Sequence, residues 1–223
     1  MTRRTFSLGL IVGLVVLGLG ATHAPAALVD YVGFGWEVGG LAPSSPGDEL
    51  AVAAVGVSID PIFGAAPTDE ITIYIYDLMS MGEFVDPSTG TITIMYSGGT
   101  LDLYADDTPD HDWGINPANA TTPSTFTDGD LLFRGAFTSF TLFLSASGAG
   151  VFEGTLDGVA GSALAGVCSD CAYSFAGVFT RDIGAQIPEG YDLQIDGSLD
   201  VDSTVPVAQS DSFGGLKSLY QNR

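Results

Sequence analysis

The chain has 223 residues, 27 of them acidic and six basic, for a formal net charge of −21 with 46% hydrophobic residues. A field of that sign excludes nucleic acid and anionic membrane surfaces as partners and leaves divalent cations, basic partners and salty surroundings as compatible ones. The length suits a single all-β domain with a sizeable core. Much of the acid is Asp between apolar runs, where it also serves simply as a turn residue on a solvated surface.

Residues 1–26 read as a secretory signal peptide. Arg3 and Arg4 precede an apolar run from Phe6 to Ala21, and Ala24-Pro25-Ala26 places small residues where a signal peptidase cuts, so the exported protein is expected to begin at Ala27. The run is short for a membrane anchor, and no later segment is apolar enough to span a bilayer. Loss of Arg3 and Arg4 leaves four basic residues against 27 acidic ones, a net charge of −23.

Residues 27–202 read as one β-domain. Ala27–Gly35 opens it, and a Gly-Gly and Pro-Ser-Ser-Pro-Gly cluster follows. Leu50–Ile59, rich in β-branched valine and stopped by Asp60-Pro61, reads as a strand more than as a short helix. Ile71–Asp77 alternates, with Ile71, Ile73 and Ile75 on one face and Thr72, Tyr74 and Tyr76 on the other. Met79–Gly90 is expected to be a connection. Thr91–Tyr96 and Leu101–Asp106 alternate again, and Ser97-Gly98-Gly99-Thr100 between them has the glycines of a tight hairpin turn. After a polar loop of about twenty residues come Asp130–Phe137 and Thr138–Ala146, then Gly150–Leu156, Ala172–Thr180 and Tyr191–Val201; Ala160–Val167 fits either one helical turn or a weak edge strand. Ten strand candidates at short intervals, with Gly- and Asp-rich turns, predict an all-β fold: an antiparallel β-sandwich or jelly roll.

Residues 203–223 differ in character. A polar, Pro-containing linker leads to SFGGLKSLYQNR, where Phe213, Leu216, Leu219 and Tyr220 fall at helical spacing, interrupted by Gly214 and Gly215. Lys217 and Arg223 make this tail a basic patch on an acidic protein, expected to act in attachment or sorting.

Chemistry-bearing patterns are few. With His111 the sole histidine after the signal and no Gly-x-Ser-x-Gly elbow, no Ser/Cys–His nucleophile is built, and no catalytic residue is assigned. Cys168 and Cys171, as Cys-Ser-Asp-Cys in an oxidising compartment, are expected to form a local disulfide. The densest pattern is Asp106-Asp107-Thr108-Pro109-Asp110-His111-Asp112-Trp113-Gly114. Closely spaced carboxylates with loop carbonyls are how hard cations are held, so Asp106, Asp107, Asp110 and Asp112 are the candidate Ca2+ ligands, against the simpler reading of a solvated acidic loop. His111 reads as a loop residue, and the spacing is not that of an EF-hand.

Leu101–Phe137, with its FTDG stretch, and the later PEGYDLQIDGSLDV at Pro188–Val201 resemble the ectodomains of bacterial exported proteins of the PEP-CTERM sorting group. The resemblance spans about Thr100 to Val201 and implies a surface or extracellular-matrix protein. The chain departs from that group in lacking the Pro-Glu-Pro motif, apolar span and basic end of the sorting signal, so the group's sorting route does not carry over. The expectation is a secreted or cell-surface, non-enzymatic protein with structural or adhesive work, whose partners are extracellular polysaccharide or other surface proteins. The alternative is a calcium-assisted carbohydrate-binding module, with the exposed aromatics Trp36, Trp113, Tyr74 and Tyr76 as the stacking platform, against the simpler reading of these rings as cross-strand packing pairs.

Overall fold

The computed structural model describes residues 28–113, 124–168, 171–181 and 186–202. The expected signal peptide and cleavage point, the C-terminal tail and the middle of the acidic loop lie outside the described residues. Eight antiparallel strands follow in chain order: β1 (Val29–Glu37), β2 (Glu49–Ile59), β3 (Glu70–Val85), β4 (Ile92–Asp106), β5 (Asp130–Leu144), β6 (Ala149–Ala160), β7 (Ala172–Thr180) and β8 (Leu193–Asp202). Each pairs with the next, and β1 pairs back onto β8 from Val29–Leu199 to Gly35–Leu193, closing an up-and-down barrel. The all-β expectation therefore holds, whereas the sandwich or jelly roll gives way to a closed barrel. Closure is the more complete solution to unpaired edge strands, because it leaves none.

Ten strand candidates become eight because two pairs are single long strands. The Ser97–Thr100 segment is not a hairpin turn: Gly98 and Gly99 have φ of 70° and 98° but sit within β4, opposite Leu78 and Asp77 of β3, where Asp77 itself has φ 59°. Ladder registers shift at neighbouring points, between Leu50 and Val52 on β2 and between Phe137 and Ser139 on β5. Bulges aligned across adjacent strands bend the whole sheet, which is how long strands wrap into a barrel. The same continuity draws Met79–Val85, expected as a connection, into β3, where Glu83–Val85 pair with Ile92–Ile94 of β4.

Alternation then sorts the residues. Ile71, Ile73 and Ile75 point inward with Val29, Tyr31, Leu101, Leu103, Phe133, Phe140, Phe152, Leu156, Tyr173, Phe175 and Leu199 to form one continuous core. The interior is filled by side chains. Tyr31 stacks on Phe175 at 4.6 Å, and Phe137 meets Phe140 edge-on at 5.4 Å. Glycines make room for these rings: a Cβ on Gly154 would lie 2.8 Å from both Phe137 and Phe140. The void bounded by Leu50, Phe140, Phe152, Phe175 and Ile195 measures about 10 Å³, too small and apolar for more than a single water. One barrel end is closed by the 3-10 turn Pro61–Phe63, with Phe63 in the core, and by the helical turn α1 (Leu164–Val167), which resolves the Ala160–Val167 ambiguity toward helix. Cys168 and Cys171 are disulfide-bonded just beyond α1, with Cα atoms 5.5 Å apart. The Tyr173 hydroxyl donates to the Cys168 carbonyl, tying this closure to β7.

A second apolar cluster lies outside the barrel wall. Trp36, Ala51, Ala53 and Tyr74 face outward from β1–β3 and are covered by Phe126 and Tyr191, with Phe34, Tyr76, Trp113 and Ile187 at the margins. The Thr72 hydroxyl donates to the Phe126 carbonyl at 3.0 Å, pinning the cover to β3.

Candidate acidic site and the carboxylates around it

The loop expected to bind cations leaves β4 at the barrel end closed by α1 and returns to β5 at the same end. Its carboxylates do not all converge. Oxygen atoms of Asp106, Asp110 and Asp128 lie within 4.8 Å of one another, a separation that one Ca2+ with 2.3–2.6 Å bonds can bridge. Asp106 ends β4, Asp110 is four residues into the loop, and Asp128 stands two residues before β5, so the strand pair supplies two of the three positions. Asp128 was absent from the sequence-based ligand set because it lies eighteen positions along the chain from Asp110. The one signal for it was its place in the Phe126-Thr127-Asp128-Gly129 stretch before a strand.

The other two expected ligands behave differently. Asp107 Oδ1 accepts from the Thr108 hydroxyl at 3.1 Å and lines the adjoining cleft without joining the three. Asp112 lies further along, where its backbone N–H donates to Thr125 Oγ1 at 3.3 Å. The cleft, about 400 Å³, is bordered by Asp69, Asp106, Asp107, Asp128 and Asp130 with Gly64, Ala65 and Leu132.

Glu70, at the start of β3, organises the loop. Its Oε2 accepts from the backbone N–H groups of Asp110 and His111, and its Oε1 meets His111 Nδ1 at 2.5 Å. His111 is thus engaged by a carboxylate, in keeping with a structural loop residue. The Asp110 carboxyl is held above the usual Asp range by partial desolvation, then by the negative charges of Asp128, Asp106 and Glu70. A divalent cation reverses the charge part of that effect. Three carboxylates fall short of the six to eight oxygens that Ca2+ takes; loop carbonyls and water are the ordinary complement.

Elsewhere in the wall, strand register compensates a carboxylate fully. Asp102 on β4 and Arg134 on β5 are direct cross-strand partners. Arg134 Nε and Nη2 each donate to one Asp102 oxygen at 2.6 Å, and the Tyr104 and Tyr76 hydroxyls add donors at 3.0 and 3.4 Å. Asp102 is 1% exposed. A third arrangement sits at the opposite barrel end, where Glu37 is buried under the turn after β1. Ser44 Oγ donates to its Oε1 and Tyr96 Oη to its Oε2, both at 2.5 Å. Burial raises the Glu37 carboxyl, the hydroxyl bonds from Ser44 and Tyr96 oppose that rise, and Asp48 and Asp192 add to it. Sequence reading found neither site, because both depend on cross-strand partners.

The expected aromatic platform is largely taken up by packing. Trp36 is 7% exposed and meets Tyr191 edge-on at 5.5 Å, so it is a core residue of the outer cluster and not an exposed stacking surface. Tyr74 is 9% exposed, and burial pushes its hydroxyl up to about 12. Trp113 is half-buried against Phe34 and Phe126, at 4.9 and 4.8 Å, and is the one expected ligand-binding tryptophan that keeps partial access to solvent. Nothing in the local sequence around Trp36, just past the expected Ala27–Gly35 strand, signals that Phe126 and Tyr191 from distant parts of the chain pack over it.

No helix among the described residues is long and apolar enough to cross a membrane. No family model matches the chain, no curated protein is significantly similar to it, and no solved structure matches its fold.

Proposed function

We propose that this chain is an exported, non-enzymatic protein of the cell surface or extracellular matrix, whose structural or adhesive work is done on its outer surface with Ca2+ at the acidic barrel end. The observation that carries this reading is the filled barrel: aromatic and branched side chains occupy the interior from one closure to the other, so recognition falls to the rims and outer wall. The disulfide at Cys168–Cys171 suits an oxidising compartment, and the convergence of Asp106, Asp110 and Asp128 suits a divalent cation. The resemblance to PEP-CTERM-group ectodomains points the same way, to a bacterial surface, with polysaccharide or other surface proteins as partners.

Fractionation of the native host tests it. The protein is expected in the surface or matrix fraction, with an intact mass beginning at Ala27, and EDTA is expected to release part of it. Recovery from the cytosol with residues 1–26 still attached contradicts the proposal.

A second reading, a calcium-assisted carbohydrate-binding module, is favoured by one observation: Trp113, three positions beyond Asp110, keeps a partly accessible ring beside the acidic loop. Under that reading, polysaccharide pull-down requires Ca2+ and is lost in Trp113→Ala; retention in Trp113→Ala rules it out.

A further inference from the structure

Apart from Met1 the chain has three methionines, and all three face outward from one patch of the β3–β4 wall. Along β3 the buried Leu78 and Ser80 point inward, which turns Met79 and Met81 to the outer face, 37% and 59% exposed. On β4 the buried Ile94 and Tyr96 flank Met95, which is 50% exposed. Strand register brings the two sets together. Met79 pairs with Ser97 and Ser80 with Tyr96, but the next partners are Glu83 and Ile94, so Met81 and Gly82 together oppose Met95. This two-against-one bulge sets Met81 across from Met95, at the roughly 5 Å Cβ spacing of cross-strand neighbours. Met79, two residues back on the same face, stands about 7 Å from Met81.

Leucine or valine would supply a plain apolar surface equally well. Methionine adds a chemical property that they lack: its thioether sulfur is a soft, polarizable ligand with no proton to lose, and soft thioethers select Cu(I) where carboxylates select Ca2+ and Mg2+. Each side chain is unbranched and rotates about three bonds, so three sulfurs rooted at neighbouring positions can converge on one ion while the strands stay still. Neutral ligands leave the ion's charge to its surroundings, and those are acidic. Glu49 of β2 is the direct strand partner of Met79, and its Oε1 accepts from the backbone N–H of Asp77 at 3.0 Å, which places both carboxylate-bearing residues next to the patch. A net charge of −21 draws any cation toward the wall.

We infer that Met79, Met81 and Met95 form a three-thioether site for Cu(I) on the outer wall of the barrel. The site lies toward the β3–β4 turn, whereas the acidic loop begins where Glu70 meets Asp106 at the other end of the same strand pair. It draws on neither the carboxylates of that loop nor Ca2+.

Titration of the full exported chain with Ag(I), the air-stable counterpart of Cu(I), tests the assignment, with the methionine methyl signals followed by NMR. An anaerobic titration with Cu(I) against a competing chelator gives the affinity, and X-ray absorption gives the ligand atoms. Saturation at a single equivalent is expected, with the signals of Met79, Met81 and Met95 shifting together and sulfur as the dominant ligand to Cu(I). Ca2+ and Mg2+ are expected to move none of the three. Met81→Leu is expected to weaken Cu(I) binding by about tenfold or more, and the triple change of Met79, Met81 and Met95 to leucine to abolish it. Leucine keeps the apolar volume and costs little stability in exchange for methionine, so these variants fold and separate a thioether site from an apolar surface patch. Failure of the wild type to saturate, methyl signals that stay in place, or undiminished binding in the triple variant overturns the proposal and leaves the three methionines as apolar surface.

Discussion

Asp102 and the Asp106–Asp110–Asp128 group lie on the same strand pair and are solved in opposite ways. Asp102 stands mid-strand, where the β4–β5 ladder places Arg134 directly opposite and two tyrosines within reach, so a nearly inaccessible carboxylate has its donors built in. Four residues later the strand ends. Asp106 then meets Asp110 and Asp128 across a loop, and the histidine of that loop is already committed to Glu70. Strand register hands a buried charge its counter-charge; a loop gathers charges of one sign and leaves compensation to solvent or a bound cation. The first group is self-contained and structural, the second is where a bound cation would change the energetics.

The comparison is broken most strongly by removing Arg134. Arg134→Met leaves Asp102 desolvated without its counter-charge and is expected to destabilise the barrel by about 3 kcal/mol, the low end for a broken buried pair because the arginine side chain is 38% exposed. The double change Arg134→Met/Asp102→Asn is expected to recover much of that loss in denaturant unfolding. A single-mutant cost near zero means that the pair is screened like a surface bridge.

Glu37 sharpens the contrast, being a buried carboxylate whose side-chain donors are hydroxyls. Its folded pKa is raised, chiefly by burial, so the folded state holds the proton to higher pH than the unfolded chain does. The contribution is fully present below the unfolded value of about 4.3 and is lost as pH rises through the folded one. Glu37→Gln is expected to flatten the fall in melting temperature across that window, read as wild type minus variant so that the other carboxylates cancel. An unchanged difference contradicts the assignment.

What the sequence revealed follows from the range of the forces involved. Period-2 alternation at Ile71–Tyr76 put the isoleucines inside and the tyrosines outside, as found, because facing is decided by neighbours along the strand. The Cys168–Cys171 bond was legible for the same local reason. Closure of the sheet was not, since the pairing of Val29 with Leu199 joins opposite ends of the domain and has no local signature. Gly98-Gly99 misled because positive φ serves a bulge as well as a turn, and only the partner strand, with Asp77 opposite, tells the two apart. At the acidic site the loop was visible but its membership was not: Asp128 entered and Asp107 and Asp112 left through the way β4 and β5 bring the loop ends together.

The most direct test of the claim that the acidic end is the cation-responsive part of the protein is thermal unfolding in Ca2+ and in Mg2+ at equal ionic strength, for wild type and Asp128→Asn. Binding to the folded state alone at a tenfold excess over Kd stabilises by about 1.4 kcal/mol. Wild type is expected to melt higher in Ca2+ than in Mg2+, and Asp128→Asn is expected to lose that difference while keeping the shift due to general screening. Equal shifts from both ions in both proteins contradict the account and reduce Asp106, Asp110 and Asp128 to a solvated acidic loop.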